Sequence, residues 1–128
     1  MFEINVNGTD YPLRFGMGFI REANKRVSIP IDGAPGASRK VGLRYIISDV
    51  MDGDIEALED VILLANKTET PKIKKDELEK WLEEDANIDT LFEDVLDFFE
   101  KANTTKRTIK ELKQIAEMLT EETLKAEA

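Results

Sequence analysis

Four acids, Asp49, Asp52, Asp54 and Glu56, fall within eight residues, close enough together to suggest a calcium loop. With Asp52 as first ligand, the sixth position is Ala57 and the twelfth is Leu63. A calcium loop needs glycine and a bidentate glutamate at those places, so the same acids read better as caps and first-turn charges at a helix N-terminus. Gly16-Met17-Gly18 begins like a dinucleotide fingerprint, but its third glycine position holds Arg21 and no βαβ unit follows. Gly33 to Lys40 lacks the Gly-Lys-Ser/Thr ending of a phosphate cradle. Asp94 and Asp97 carry the groups for general acid–base work, but they lie opposite an apolar helical stripe, where both are solvated. The chain has no cysteine and no histidine, which removes thiol and imidazole nucleophiles, thiolate metal sites and disulfides. These residues predict no enzyme, no cofactor and no metal site.

A chain of 128 residues is the length of one domain. Its 18 basic and 27 acidic residues give a net charge of -9, which argues against a nucleic-acid partner, because such binding rests on neutralising phosphates. The longest wholly apolar run, Val61-Ile62-Leu63-Leu64-Ala65, falls far short of the roughly 20 residues that span a bilayer. The start, with Glu3 and an alternating pattern, is unlike a signal peptide. A cytoplasmic protein with no membrane partner is the expectation. Asn7, Asn66 and Asn103 each open an Asn-X-Thr tripeptide, read as a chance match in the absence of a secretory route.

Positioning elements follow from hydrophobic period. Phe2, Ile4 and Val6 alternate with polar residues, Asn7-Gly8 signals a turn, and Tyr11, Leu13 and Phe15 resume the alternation, predicting a β-hairpin over 1–15. Pro12 cannot donate to a ladder, so its strand lies at an edge or turns its nitrogen to solvent. Phe19, Ile20, Ala23 and Val27 predict a helix from about Met17. Residues 28–41, with two Pro and two Gly, predict a long loop. Leu43, Ile46, Ile47 and Val50 predict a helix stopped near Gly53. Asp54 then caps a second one carrying Ile55, Leu58, Val61, Ile62 and Ala65. Beyond Thr70-Pro71, Leu78, Trp81 and Leu82 mark another helix. Trp81 reads as core or rim packing, or as an exposed anchor for a partner. Ile88, Leu91, Phe92, Val95, Leu96, Phe99 and Ala102 give the clearest amphipathic helix. Thr108-Ile109-Lys110-Glu111 fits a capping box opening a last helix over 108–128. The fold class is α+β, predominantly α-helical: an N-terminal β-hairpin packed on a bundle of about six helices, with the helical core over 16–107.

The last helix carries Ile109, Leu112, Ala116, Leu119 and Thr123 on a seven-residue pattern. Such a stripe is narrower than the face of a core helix and resembles a helix–helix seam. It fits docking on another chain and packing on its own domain equally well, with fraying past Thr123 compatible with both. Ile109, Leu112, Ala116 and Leu119 are the candidate protein-binding residues. Charge is uneven: residues 51–100 hold five bases and 17 acids, so the middle of the chain is the acidic part.

Leu13-Arg14-Phe15-Gly16-Met17-Gly18-Phe19-Ile20-Arg21-Glu22, following a short hairpin, resembles the tail assembly chaperones of long-tailed phages and prophages of Gram-positive bacteria. The resemblance is specific in that stretch and elsewhere rests on length, helical pattern and acidity. It implies a non-enzymatic protein encoded near the tape measure protein. Such a chaperone binds that long helical client in the host cytoplasm, helps the tail tube polymerise around it, and is absent from the mature virion. It also implies self-association into rings or spirals, and a longer form, made by ribosomal frameshifting, that recruits tail tube subunits. The family offers no catalytic motif to carry over. Two other readings remain beside it: an acidic adaptor binding a basic protein partner, which predicts binding that collapses with salt, and an enzyme working through carboxylates alone, for which no sequence feature speaks.

Overall fold

Phe2–Val6 (β1) and Thr9–Leu13 (β2) pair antiparallel in the expected register, Ile4 opposite Tyr11 and Phe2 opposite Leu13. Asn7 and Gly8 both take positive φ, 53° and 89°, as a two-residue hairpin turn of the mirror-image type requires. The computed structural model describes residues 2–127. Ile4, Val6, Tyr11 and Leu13 are buried while Glu3 and Asn5 face solvent. The inner face of the hairpin therefore has helices to rest on. Sheets of two strands have only edges, which suits Pro12, paired with Glu3.

Six helices follow among the described residues: α1 (Met17–Lys25), α2 (Gly42–Met51), α3 (Ile55–Asn66), α4 (Lys75–Glu84), α5 (Ile88–Lys101) and α6 (Lys106–Glu127). The class is α+β, predominantly helical, as the sequence predicts. Asp54 caps α3 by accepting hydrogen bonds from the Glu56 and Ala57 amides at 2.9 and 3.2 Å, and Asn87 caps α5 through the Thr90 amide at 3.1 Å. Val41, which precedes α2, has no side-chain oxygen; Asn24 of α1 supplies the cap instead, its Oδ1 accepting from the Leu43 amide at 3.1 Å. Phe15 stacks on Phe99 at 4.4 Å between ring centroids and touches Phe19 and Phe98, so one aromatic cluster joins the hairpin's end to α1 and α5. Trp81 is partly buried against the core rather than free.

Two expectations are corrected. Residues 28–41 are not a structureless loop: Ser28–Pro30 (β3) and Ser38–Lys40 (β4) pair antiparallel, the Val41 amide donates to the Val27 carbonyl at 2.9 Å, and Gly33 and Gly36 take positive φ in the turn. All six strand residues are exposed. With no buried face there is no alternation to read, and backbone pairing alone makes the element. The expected capping box at Thr108 does not form either. The last helix opens two residues earlier, with the Ile109 amide donating to the Thr105 carbonyl at 3.1 Å. Buried Thr105 donates its hydroxyl to the Phe99 carbonyl at 2.7 Å, and Thr104 donates to the Phe15 carbonyl. Contacts to α5 and to the hairpin's end thus position the start of α6. The helix runs to Glu127.

Candidate docking surface

The apolar stripe of α6 divides into a covered part and an open part. Ile109 is 1% exposed and belongs to the core, so it is not part of an open seam. Leu112 is half-buried, packed against the same core, whereas Ala116 is exposed and Leu119 is 59% exposed. Every residue from Lys113 to Ala126 is exposed. The boundary falls after Leu112, the last half-buried residue of the helix up to Ala126.

Ion pairs fix the covered part. Arg44 of α2 reaches the Glu111 carboxylate at 3.0 Å and Arg107 approaches it at 3.5 Å; on the other side Lys113 pairs with Glu100 of α5. The Arg44 hydrogen bond is the main cause holding the Glu111 carboxyl below the usual carboxylate range. A lowered pKa means this contact favours folding above the ordinary range and is lost as pH falls through the folded value. At neutral pH the clasp is intact.

Where α6 leaves the core, an open groove of about 630 Å³ lies between it, α2 and the second hairpin, lined by Ile29, Arg39, Val41, Arg44, Tyr45, Ser48, Leu112 and Ile115. Ile29, Tyr45 and Ile115 are 40%, 49% and 46% exposed. Met118 and Leu119, also exposed, lie one helical turn beyond Ile115. Scattered exposed aliphatics are ordinary; a set from three elements lining one groove beside two guanidinium groups is a candidate docking surface. Of the residues the seven-residue reading named, Leu112 lines this groove; Ile115, which that reading did not name, lies three residues on from Leu112 and lines it too. Tyr45 and Ile29 carried no readable signal, since neither extends its own element's apolar period to this groove.

The remaining candidates are spoken for locally. Asp54 is a helix cap. Asp97 pairs with Lys101 at 2.7 Å on the solvent side of α5, beside a shallow hollow that Asp94, Phe2 and Phe98 also line. Gly16 stands before α1 as its cap position, and a Cβ on Gly18 would meet Thr68 Cγ2 at 2.8 Å, so Gly18 is where α1 comes close to the segment that follows α3. Among the described residues, no group of three or more acids is placed to hold a metal ion, and no helix is long and apolar enough to cross a membrane.

A second, acidic groove lies between α3 and α4, where Ile55, Leu82 and Ile88 sit among Glu56, Glu59, Glu79 and Glu83. Loss of hydration, then the Glu79 carboxylate, push the Glu59 pKa up. With a raised folded pKa, Glu59 favours the fold in acid and works against it as pH rises through that value. Glu59→Gln is therefore expected to raise Tm at pH 7, with the gain over the parent vanishing below about pH 4 in paired thermal melts.

Residues 3–114, from β1 into the middle of α6, match the family described as phage tail assembly chaperone protein, TAC. No curated protein and no solved structure matches the chain. The matched region ends where the fully exposed part of α6 begins.

Proposed function

Since the chain belongs to the phage tail assembly chaperone family, we propose that its client is the tape measure protein, which it binds and keeps soluble during tail morphogenesis without catalysing any reaction. The observation that carries this reading is the uncovered apolar surface of Ile29, Tyr45, Ile115 and Leu119 on a chain with net charge -9. A long helical client exposes apolar ridges before the tail forms, and such ridges aggregate. An open groove with an apolar floor accepts one of these ridges in the helix-in-groove manner, while the charge of the carrier keeps the complex in solution. In the same reading the protein acts in the host cytoplasm, is left out of the mature virion and self-associates, and a longer frameshifted form brings tail tube subunits to the client.

Co-expression with the tape measure protein tests the reading. The parent chain should keep the client in the soluble fraction, and Ile115→Asp with Leu119→Asp should abolish this while leaving the helical circular dichroism intact, because both side chains are exposed. Removing two buried aliphatics from an interface should weaken binding about 100-fold or more. A client that stays insoluble with the parent chain, or remains equally soluble with the variant, overturns it. The acidic adaptor is the second reading, favoured by the α3–α4 groove. It predicts client binding that disappears between low and high salt, whereas apolar burial persists.

A further inference from the structure

Lys106 to Lys113, the start of α6, holds four bases and one acid on a chain whose net charge is -9. Bases that bring the net charge nearer zero add nothing to solubility, which grows with its magnitude. They do not serve the helix either. Lys106 and Arg107 occupy the first turn with no acid beside them, at the end where the helix dipole favours negative charge. Local partners use only part of the set. Arg107 shares the Glu111 carboxylate with Arg44, and Lys113 reaches across to Glu100 of α5. Among the described residues, Lys106 bonds only the neutral Asn103 side chain, at 2.9 Å, and Lys110 has no carboxylate partner.

These bases line an open cleft of about 730 Å³ between the end of α5 and the first half of α6, with Glu100 on its α5 side and Glu117 at its far end. Lys106, Lys110 and Lys113 follow at spacings of four and three, so they form one row on the helix, about 10 Å long at the helical rise. At roughly 100° of rotation per residue, that row lies on the side of α6 opposite Leu112, Ile115 and Leu119. We infer that this cleft is a separate docking site for an acidic helical segment of another protein, whose carboxylates pair with Lys106, Arg107 and Lys110. Charge complementarity selects this occupant. A helix laid along two others fills such a cleft, and its Asp or Glu side chains at three- and four-residue spacing meet the row in register. Because Glu117 closes the basic row, the matching acidic stretch runs about two turns. Nucleic acid fits less well, since its phosphates carry negative charge past the row and onto a chain with 27 acids. The site goes beyond the client groove and does not depend on what that groove binds.

Fluorescence anisotropy of the full chain with two labelled helical peptides is the test. Both are about 20 residues long, enough to be helical in water, and share one composition; the first carries its glutamates on a single face, the second spreads them around the helix. The one-faced peptide should bind about tenfold more tightly, and added salt should weaken that binding. Lys106→Glu with Lys110→Glu should lower its affinity about tenfold or more. The same variant should keep or raise its Tm, because acids suit the start of a helix. Lys80→Glu with Lys125→Glu, an equal change of charge at exposed positions elsewhere, should leave binding within about twofold. Equal affinity for both peptides, indifference to the cleft substitutions, or an equal loss from the distant pair overturns the inference. A Tm that falls together with the affinity shows the lysines to be structural and overturns it too. So does a single-stranded oligonucleotide that binds in preference to the peptide, or self-association of the chain that the cleft variant abolishes, since a second copy is then the occupant. Failure here leaves the client assignment standing, because Leu112 and Ile115 face away from the cleft.

Discussion

Gly42→Ala should lower Tm by about 10 °C, a loss of about 3 kcal/mol, although helix propensity alone predicts a gain of about 1 kcal/mol. Gly42 is the first residue of α2, and a Cβ built there would stand 1.8 Å from the Ala23 carbonyl oxygen, 2.9 Å from its carbon and 3.1 Å from Asn24 Cα. All three are backbone atoms of α1, so no side chain can swing away to make room. The two helices must part. Parting them also pulls Asn24 from the Leu43 amide it caps. Since α2 carries Arg44 and Tyr45, the groove they line beside α6 should be disturbed with the fold. Gly53→Ala is the contrast. That glycine has φ of +83° and nothing within 4 Å of the added Cβ, so its replacement should cost about 1 kcal/mol and leave the groove alone. Thermal melts of both variants decide the matter. An unchanged or raised Tm for Gly42→Ala would show that α1 and α2 do not approach this closely.

Asn66→Ala is the other large effect. Asn66 is 2% exposed at the end of α3. Its Nδ2 donates to the Pro12 carbonyl at 3.0 Å and to the Pro71 carbonyl at 3.1 Å, and its Oδ1 accepts from the Ile73 amide at 2.8 Å. One side chain therefore joins β2, α3 and the segment leading to α4. Alanine leaves two carbonyls and one amide without their partner, at about 1–3 kcal/mol for each group buried away from water. Several kcal/mol is a large part of the total stability of a chain this size. The Ile73 amide should also lose its protection in hydrogen exchange. Asn103→Ala is the matched control, because Asn103 is exposed and bonds only the Lys106 ammonium; it should change stability by less than about 0.5 kcal/mol. Equal melts for the two variants would remove Asn66 from its structural role.

Those two asparagines also show where sequence reasoning stops. Both begin the same Asn-X-Thr tripeptide, and nothing local distinguishes the one that ties three segments together from the one at the surface. Gly42 likewise looks like an ordinary helix-start glycine until α1 is laid against it. By contrast, the β1–β2 hairpin was legible because alternation and Asn-Gly are both local signals, and α5 because Leu91, Val95 and Phe99 repeat at helical spacing and are the residues the fold buries. Asp54 was legible as a cap because a cap is a bond between near neighbours in the chain.

The candidate docking surface lies between these cases. The sequence by itself determined that α6 is a helix, that its apolar stripe is narrow and that the protein is acidic, since period and charge are properties of the chain. Only the tertiary structure decided that Ile109 is core and Leu119 is open, that Ile115 lines one groove with Tyr45 and Ile29, and that residues 28–41 form a second hairpin beside it. Hydrophobic period fixes which face of an element avoids water; what covers that face, and how far the cover extends, depends on where the other elements end in space.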